Sequence, residues 1–468
     1  MPIATLPSAR RTPSPLWWAV FSATVLWSLV MSLRCQVHGD AIDLMVRGWR
    51  LAVDGVWLPF GLKTSAGGFS PGGLTALVSG LPLVVWQDYR SVAVLIALVH
   101  AAAFLWMARM LRPALGDTGG WLLLLVLWVD PWRMTFSTHP WNSSLMLPLG
   151  MIHLATAVTM SRGRVAWATF VHALTVGLGL QLHSSFAVLA ILSVLLWLTG
   201  TVRVHWGAFA AAVAVGVAAL APWVAAVVAD PSLLPAGRGF PMRGLVLVFP
   251  MLRGVMYWLK MGGLSLPSRL TTFDFSPDFG AAADAVLTPV AAAVALLGHL
   301  TTLVVLWATW RLVRRARRSR FWQGPAPRTS RAWLERYVAL AATAALASFA
   351  VSPTTVMFWQ LFVVQHAIAL TVVLAVGPRL RRGRGDRVRP AAAAWVAVSV
   401  ALILAITFGA PMYREGGRHP EGMKLRHDHP MFHRLGMVDH GSVTVGHGPD
   451  EGWWPAALEP ADPEATED

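Results

Sequence analysis

The chain has 468 residues, 56% of them hydrophobic and only 13% charged, with a mean hydropathy of +0.56 and a formal net charge of +15. Apolar runs near the ~20 residues that a spanning helix needs recur along the chain, which excludes a soluble globule and indicates an integral membrane protein. Cys35 is the single cysteine, so no intrachain disulfide forms.

Lipid offers no hydrogen-bond partner to an exposed backbone amide, so the spans are helices packed in one bundle. Eleven are expected, at about 16–33, 91–111, 120–136, 143–160, 165–182, 184–199, 206–229, 284–310, 333–351, 354–376 and 391–410. The first follows Arg10 and Arg11, lacks a small-x-small cleavage site, and reads as an uncleaved anchor. The fold class expected is an all-α polytopic membrane protein with about 11 transmembrane helices and amphipathic surface helices in its first outer loop.

Charge orients these spans. With the N-terminus cytoplasmic, basic residues gather on the inner segments, most densely at Arg311 to Arg320 and Arg379 to Arg389, while most acidic residues fall outside. Anionic headgroups of the membrane lipids account for that basic charge, so nucleic acid is not an expected partner. A multi-pass protein of the inner (plasma) membrane follows, with a transmembrane domain over 1–410 and an outer His-rich, acidic, partly disordered tail over 411–468. Two further outer segments, 34–90 and 230–283, are long enough to build a site.

The first of these opens with His38-Gly39-Asp40-Ala41-Ile42-Asp43. Carboxylates beside a bilayer are costly unless they face water, a partner or a substrate, which makes this loop the first place to look for chemistry. Downstream, Ile42 to Val53 has partly helical apolar spacing and is expected to lie on the membrane surface. Leu74 to Trp86, after Gly67-Gly68-Phe69-Ser70-Pro71-Gly72-Gly73, is too short to span and reads as an interfacial or re-entrant helix.

This order of elements resembles the GT-C membrane glycosyltransferases, above all the bacterial relatives of protein O-mannosyltransferases and lipid A aminoarabinose transferases. The likeness covers roughly residues 10 to 200. Gly39-Asp40 plus Asp43 stands where the family has its first-loop acidic motif, Phe69-Ser70-Pro71-Gly72-Gly73-Leu74 resembles its "P-P-L" turn, and Asp130-Pro131-Trp132 resembles its "S-P" turn. Trp141-Asn142-Ser143-Ser144-Leu145 and Leu180-Gln181-Leu182-His183 complete the series. Two departures stand out: many members have an Asp-Glu pair where Asp40 is followed by Ala41, and relatives with an Asp at the position of Asn142 differ too.

The resemblance implies an inverting transfer of a sugar from a polyprenyl-phosphate donor to a lipid, glycan or protein acceptor at the outer face. Phosphate leaves without a general acid, so one carboxylate on the acceptor side suffices as base, with cations at the departing phosphate. Asp40 is the candidate base, and Asp43 or His38 shapes the site or holds a divalent metal ion. If 40–54 is helical, the two acids share a face, and Arg47, four residues after Asp43, can instead neutralise it.

Candidate phosphate ligands are Lys63, Arg133, Arg243, Arg253 and Lys260; His139, Trp141, Asn142 and His183 are candidates for sugar or phosphate contact. The alternative is a lipid or small-molecule transporter, motivated by His100, His153, His172, His299 and His366 within the spans and by the broad basic surface. Their spacing does not form one relay, and hydrogen bonding between helices is the ordinary role of each. The tail sequence His427-Asp428-His429 with His433 is a further metal-binding candidate.

Overall fold

The structure is a computed structural model that describes residues 13–35, 40–63, 68–234, 248–318, 331–352, 356–381 and 385–413. His38, Arg243 and the tail beyond Tyr413 lie outside these residues. The chain enters the bundle through α1 (Pro15–Arg34), whose start is set by Pro15 in the first turn and by the Ser14 hydroxyl, which accepts from the Trp17 amide at 3.3 Å. The first loop then forms α2 (Asp40–Ala52), a two-stranded antiparallel hairpin of β1 (Phe60–Lys63) and β2 (Phe69–Pro71), and α3 (Leu74–Val85).

The hairpin pairs Phe60 with Pro71 and Lys63 with Phe69. Sequence reading places only a Gly/Pro turn there, because strands of four and three residues are too short to show alternation. Both helices of the loop do form and pack on each other, but Ala41 to Trp49 are all buried, so α2 is enclosed by the protein where the sequence predicts a helix on the membrane surface.

Next come α4 (Tyr89–Leu123), a π turn over Leu124–Trp128, α5 (Pro131–Ser137), a 3-10 turn over Asn142–Leu145, α6 (Met146–Arg162), α7 (Ala166–Leu182), α8 (Phe186–Leu198) and α9 (Trp206–Ala229). The second half contains α10 (Val248–Gly262), α11 (Ser276–Leu300), α12 (Thr302–Arg318), α13 (Arg331–Ala350), a 3-10 turn over Phe358–Val364, α14 (Gln365–Arg381) and α15 (Gly385–Gly409). Gly116, at φ 65°, breaks α4 in two, which only a residue without Cβ does cheaply, and so separates the expected spans 91–111 and 120–136.

Among the described residues, seven helical segments are long and apolar enough to cross a membrane, and α3, α7 and α8 are shorter apolar helices. The expected spans 165–182 and 184–199 are therefore short helices here, and 333–351 falls in α13, which carries Arg331, Glu335 and Arg336. Segments α6 and α14 are enclosed at the centre, whereas α9 buries Ala212 and leaves nearly everything else on the outside, as a lipid-facing helix does. Residues 248–262 of the expected outer loop are helical, packing on α13 and α14. Stacked rings tie α1 to α4: Phe104 and Phe21 lie 4.8 and 5.1 Å from Trp128.

Three of the five membrane histidines belong to one hydrogen-bonded network, which their sequence spacing does not reveal. The Ser193 hydroxyl lies 2.9 Å from His153 Nε2 and 3.1 Å from His172 Nε2, and the Tyr337 hydroxyl lies 3.3 Å from His153 Nδ1 and 3.1 Å from His366 Nε2. The network joins α6, α7, α8, α13 and α14 and gives these histidines hydroxyl partners between helices.

Candidate functional site at the first loop

Helix α2 turns its apolar residues, together with Asp43 and Arg47, into the protein. Its approach to α3 depends on Gly48: a Cβ there would sit 2.7 Å from the Ser79 carbonyl carbon, inside van der Waals contact. The two helices are thereby fixed, and Asp40 at the exposed start of α2 takes a defined place.

The two first-loop acids are not equivalent. Asp43 is 8% exposed and faces the fully buried Arg47, with Arg47 Nε 3.0 Å from Oδ1 and Nη2 donating to Oδ2 at 3.2 Å. Arg47 Nη1 also donates to the Phe60 carbonyl at 3.0 Å, and the guanidinium lies over the rings of Phe60 and Phe69 at 5.2 and 5.5 Å. The ion pair thus ties the hairpin to α2, as buried charges require of each other.

Asp40, at the first turn of α2, remains exposed, and its Oδ2 accepts from the Trp141 indole Nε1 at 3.2 Å. Partial burial raises its carboxyl above the usual carboxylate range; the Trp141 hydrogen bond opposes that shift and the nearby Asp43 charge adds to it.

Trp141 begins a row of half-buried groups. Its ring meets Trp359 edge-on at 5.4 Å, Trp359 meets Phe358 at 5.0 Å, and Phe358 meets Tyr257 at 6.0 Å. The row ends where Arg253 Nη2 donates to the Tyr257 hydroxyl at 3.2 Å. A carboxylate and a guanidinium thus stand at the two ends of a chain of edge-to-face rings. Trp359, Phe358 and Tyr257 were not legible as site residues; the one sequence signal beside the first two is the Ser352-Pro353 dipeptide.

The remaining candidates fall in different places. Lys63 is exposed at the end of β1. Arg133 is fully buried: Asp130 caps α5 through the Arg133 amide at 3.0 Å, and this turns the guanidinium inward. There it bonds the Trp128 carbonyl and, at 3.1 Å each, the Ser28 and Ser137 hydroxyls. A group so enclosed does not reach a ligand at the loop surface.

His139 is 2% exposed. Asn142 is buried, with Nδ2 donating to the Leu182 carbonyl at 2.9 Å and Oδ1 accepting from the Ser143 amide, so it clamps the 140s turn to the end of α7. His183 Nδ1 accepts from the Ser185 amide at 3.1 Å, and burial pushes its pKa down to about 4, which keeps the ring neutral at physiological pH. The structure therefore brings Asp40 and Trp141 into direct contact and gives Asp43, Arg133 and Asn142 partners within the protein.

Comparison with protein-family models and with curated proteins finds no match. Among solved structures, the chain matches the Archaeoglobus fulgidus oligosaccharyltransferase, solved in complex with Zn and sulfate, at 12% identity and a TM-score of 0.50 over 84% of this chain and 53% of that one. It also matches ArnT from Cupriavidus metallidurans, solved bound to undecaprenyl phosphate, at 14% identity and a TM-score of 0.41 over 81% of this chain and 80% of that one. The chain thus spans about half the archaeal enzyme's length. At this identity the likeness is one of fold, and the fold is that of the GT-C polytopic membrane proteins, as the first-loop motifs imply.

Proposed function

We propose that the chain is a membrane glycosyltransferase that moves a sugar from a polyprenyl-phosphate donor to an acceptor hydroxyl at the outer face, with Asp40 as general base. The observation that carries this reading is the contrast between the two first-loop acids: Asp43 is engaged by Arg47, while Asp40 is open to solvent and held by Trp141. The fold shared with the archaeal oligosaccharyltransferase supports the same class of reaction.

In the step proposed, the acceptor oxygen attacks the anomeric carbon as its proton passes to an Asp40 oxygen. The bond from that carbon to the donor phosphate oxygen breaks on the opposite side, and the phosphate departs with the electron pair, which inverts the centre. The rings of Trp141, Trp359 and Phe358 are the proposed contacts for the sugar and the start of the lipid tail. Arg133 has no part in this step, and Lys63 stands at the exposed hairpin end.

Among the described residues, no three His, Cys, Asp or Glu side chains form a metal-holding group, and Asp43 is already committed to Arg47. His38, the other candidate ligand, lies outside the described residues, so no step is routed through a divalent ion. His153, His172 and His366 bond to hydroxyls between helices, a packing role that needs no transport.

Proteoliposomes supplied with radiolabelled polyprenyl-phosphate sugars and candidate acceptors test the proposal. A covalently labelled acceptor is the expected product. Counterflow of the sugar lipid without covalent product would replace this reading with transport.

A further inference from the structure

The end of the bundle opposite the first loop holds a group of arginines that the transfer reaction does not use. Helix α14 starts at Gln365, whose side chain donates to Asp130 Oδ1 at 3.2 Å, and reaches Arg379 about 21 Å further along its axis. There Arg379 and Arg311 of α12 lie over the same ring, Trp307, at 4.3 and 5.2 Å. On the adjoining helix, Glu335 Oε1 accepts from Arg315 Nη1 at 2.7 Å and from Arg331 Nε at 3.0 Å. Arg331 also bonds the Leu374 carbonyl.

Arg311 is within electrostatic reach of Arg315, Arg331, Arg379 and Glu335. Arg315 and Arg331 therefore occupy Glu335, while Arg311 and Arg379 share the Trp307 ring close by. Arg379 Nη1, moreover, is buried with no hydrogen-bond partner among the described residues. An enclosed N–H left unpaired in a field of like charge is a defect unless an anion completes it.

We infer that Arg311 and Arg379, backed by Arg315 and Arg331, form a binding site for a phosphate ester. A phosphate diester presents the acceptor oxygens that two guanidinium forks recognise, whereas an isolated carboxylate satisfies one of them. The neighbouring face of α12 indicates what carries it. Leu303 and Val304, both exposed, lie one turn before Trp307 and two turns before Arg311, giving the site an apolar stripe along the outside of α12. Acyl chains along that stripe place the headgroup phosphate of an anionic phospholipid over Trp307. The site stands on the face away from Asp40 and does not depend on the glycosyltransferase reading.

The test is native mass spectrometry of the detergent-solubilised full chain, with phosphatidylglycerol, phosphatidylcholine or inorganic phosphate added. The wild type retains phosphatidylglycerol over phosphatidylcholine, and R311Q/R379Q lowers that retention about thirtyfold. R314Q/R317Q removes as much charge from the exposed side of the same helix and lowers retention clearly less than R311Q/R379Q does, because those groups add to the diffuse potential without gripping the phosphate. Arg379→Lys, which keeps the charge but not the fork, weakens retention with an unchanged melting temperature, so the test stands even if the double variant fails to fold.

Displacement of the lipid by millimolar inorganic phosphate means the phosphate group alone suffices; no displacement assigns the acyl chains a share of the binding. Equal loss from the two double variants would overturn the site in favour of diffuse electrostatics. Equal retention of both lipids with no phosphate binding would overturn it outright.

Discussion

The indole N–H of Trp141 donates to Asp40 across 101 residues of sequence, at 3.2 Å, and joins the first loop to the turn before α6. The bond stabilises the ionised carboxylate, while partial burial works against it and raises the pKa. Only the ionised form accepts a proton, so transfer is lost as pH falls through the Asp40 pKa. The acid limb of kcat/KM is expected above the ordinary value of about 3.9. Trp141→Phe removes the opposing hydrogen bond and moves that limb to higher pH, which a pH series on the two proteins measures. An unmoved limb means that another group titrates.

The Asp43–Arg47 pair is expected to act on stability. Removing one partner leaves a buried charge unpaired, so Asp43→Asn and Arg47→Met each cost about 3–5 kcal/mol. Replacing both with apolar residues recovers most of that loss. Thermal melts of the single and double variants in detergent give the coupling directly.

Much of this first loop was legible in the sequence. The spacing of Ile42, Met45, Val46 and Trp49 marks α2, and the short apolar run after Pro71 marks α3, because amphipathic periodicity is local information. Asp40 could be separated from Asp43 only as far as Arg47 stands four residues after the latter, one helical turn on. The inward turn of Arg133 was not legible: it depends on the Asp130 cap and on hydroxyls from α1 and α5. Trp359 and Tyr257 come from segments more than two hundred and more than one hundred residues beyond Trp141, and only packing brings their rings into line. The hairpin escaped notice because its strands are too short for alternation to register.

Gly48 is expected to tolerate no side chain. In Gly48→Ala the new Cβ meets Ser79 backbone, so α2 and α3 must separate, at a cost of about 1–3 kcal/mol. A lower melting temperature together with reduced transfer is predicted, since α2 carries Asp40. Gly55→Ala is a control for space alone: nothing lies within 4 Å of a Cβ there, although its φ of 68° adds local strain.

The aromatic row makes a separate claim. Trp359→Ala removes the ring against Trp141 and lowers kcat/KM for transfer about tenfold, while the melting temperature changes little because Trp359 is only half-buried. Unchanged kinetics would remove the row from the substrate path.

The central claim concerns Asp40 and is tested by Asp40→Asn, which keeps size and the acceptor oxygen for Trp141 but abolishes the base. Transfer from a radiolabelled polyprenyl-phosphate sugar in proteoliposomes is expected to fall about 10²–10⁴-fold, with the melting temperature unchanged. Full retained activity in a folded Asp40→Asn protein would contradict the account.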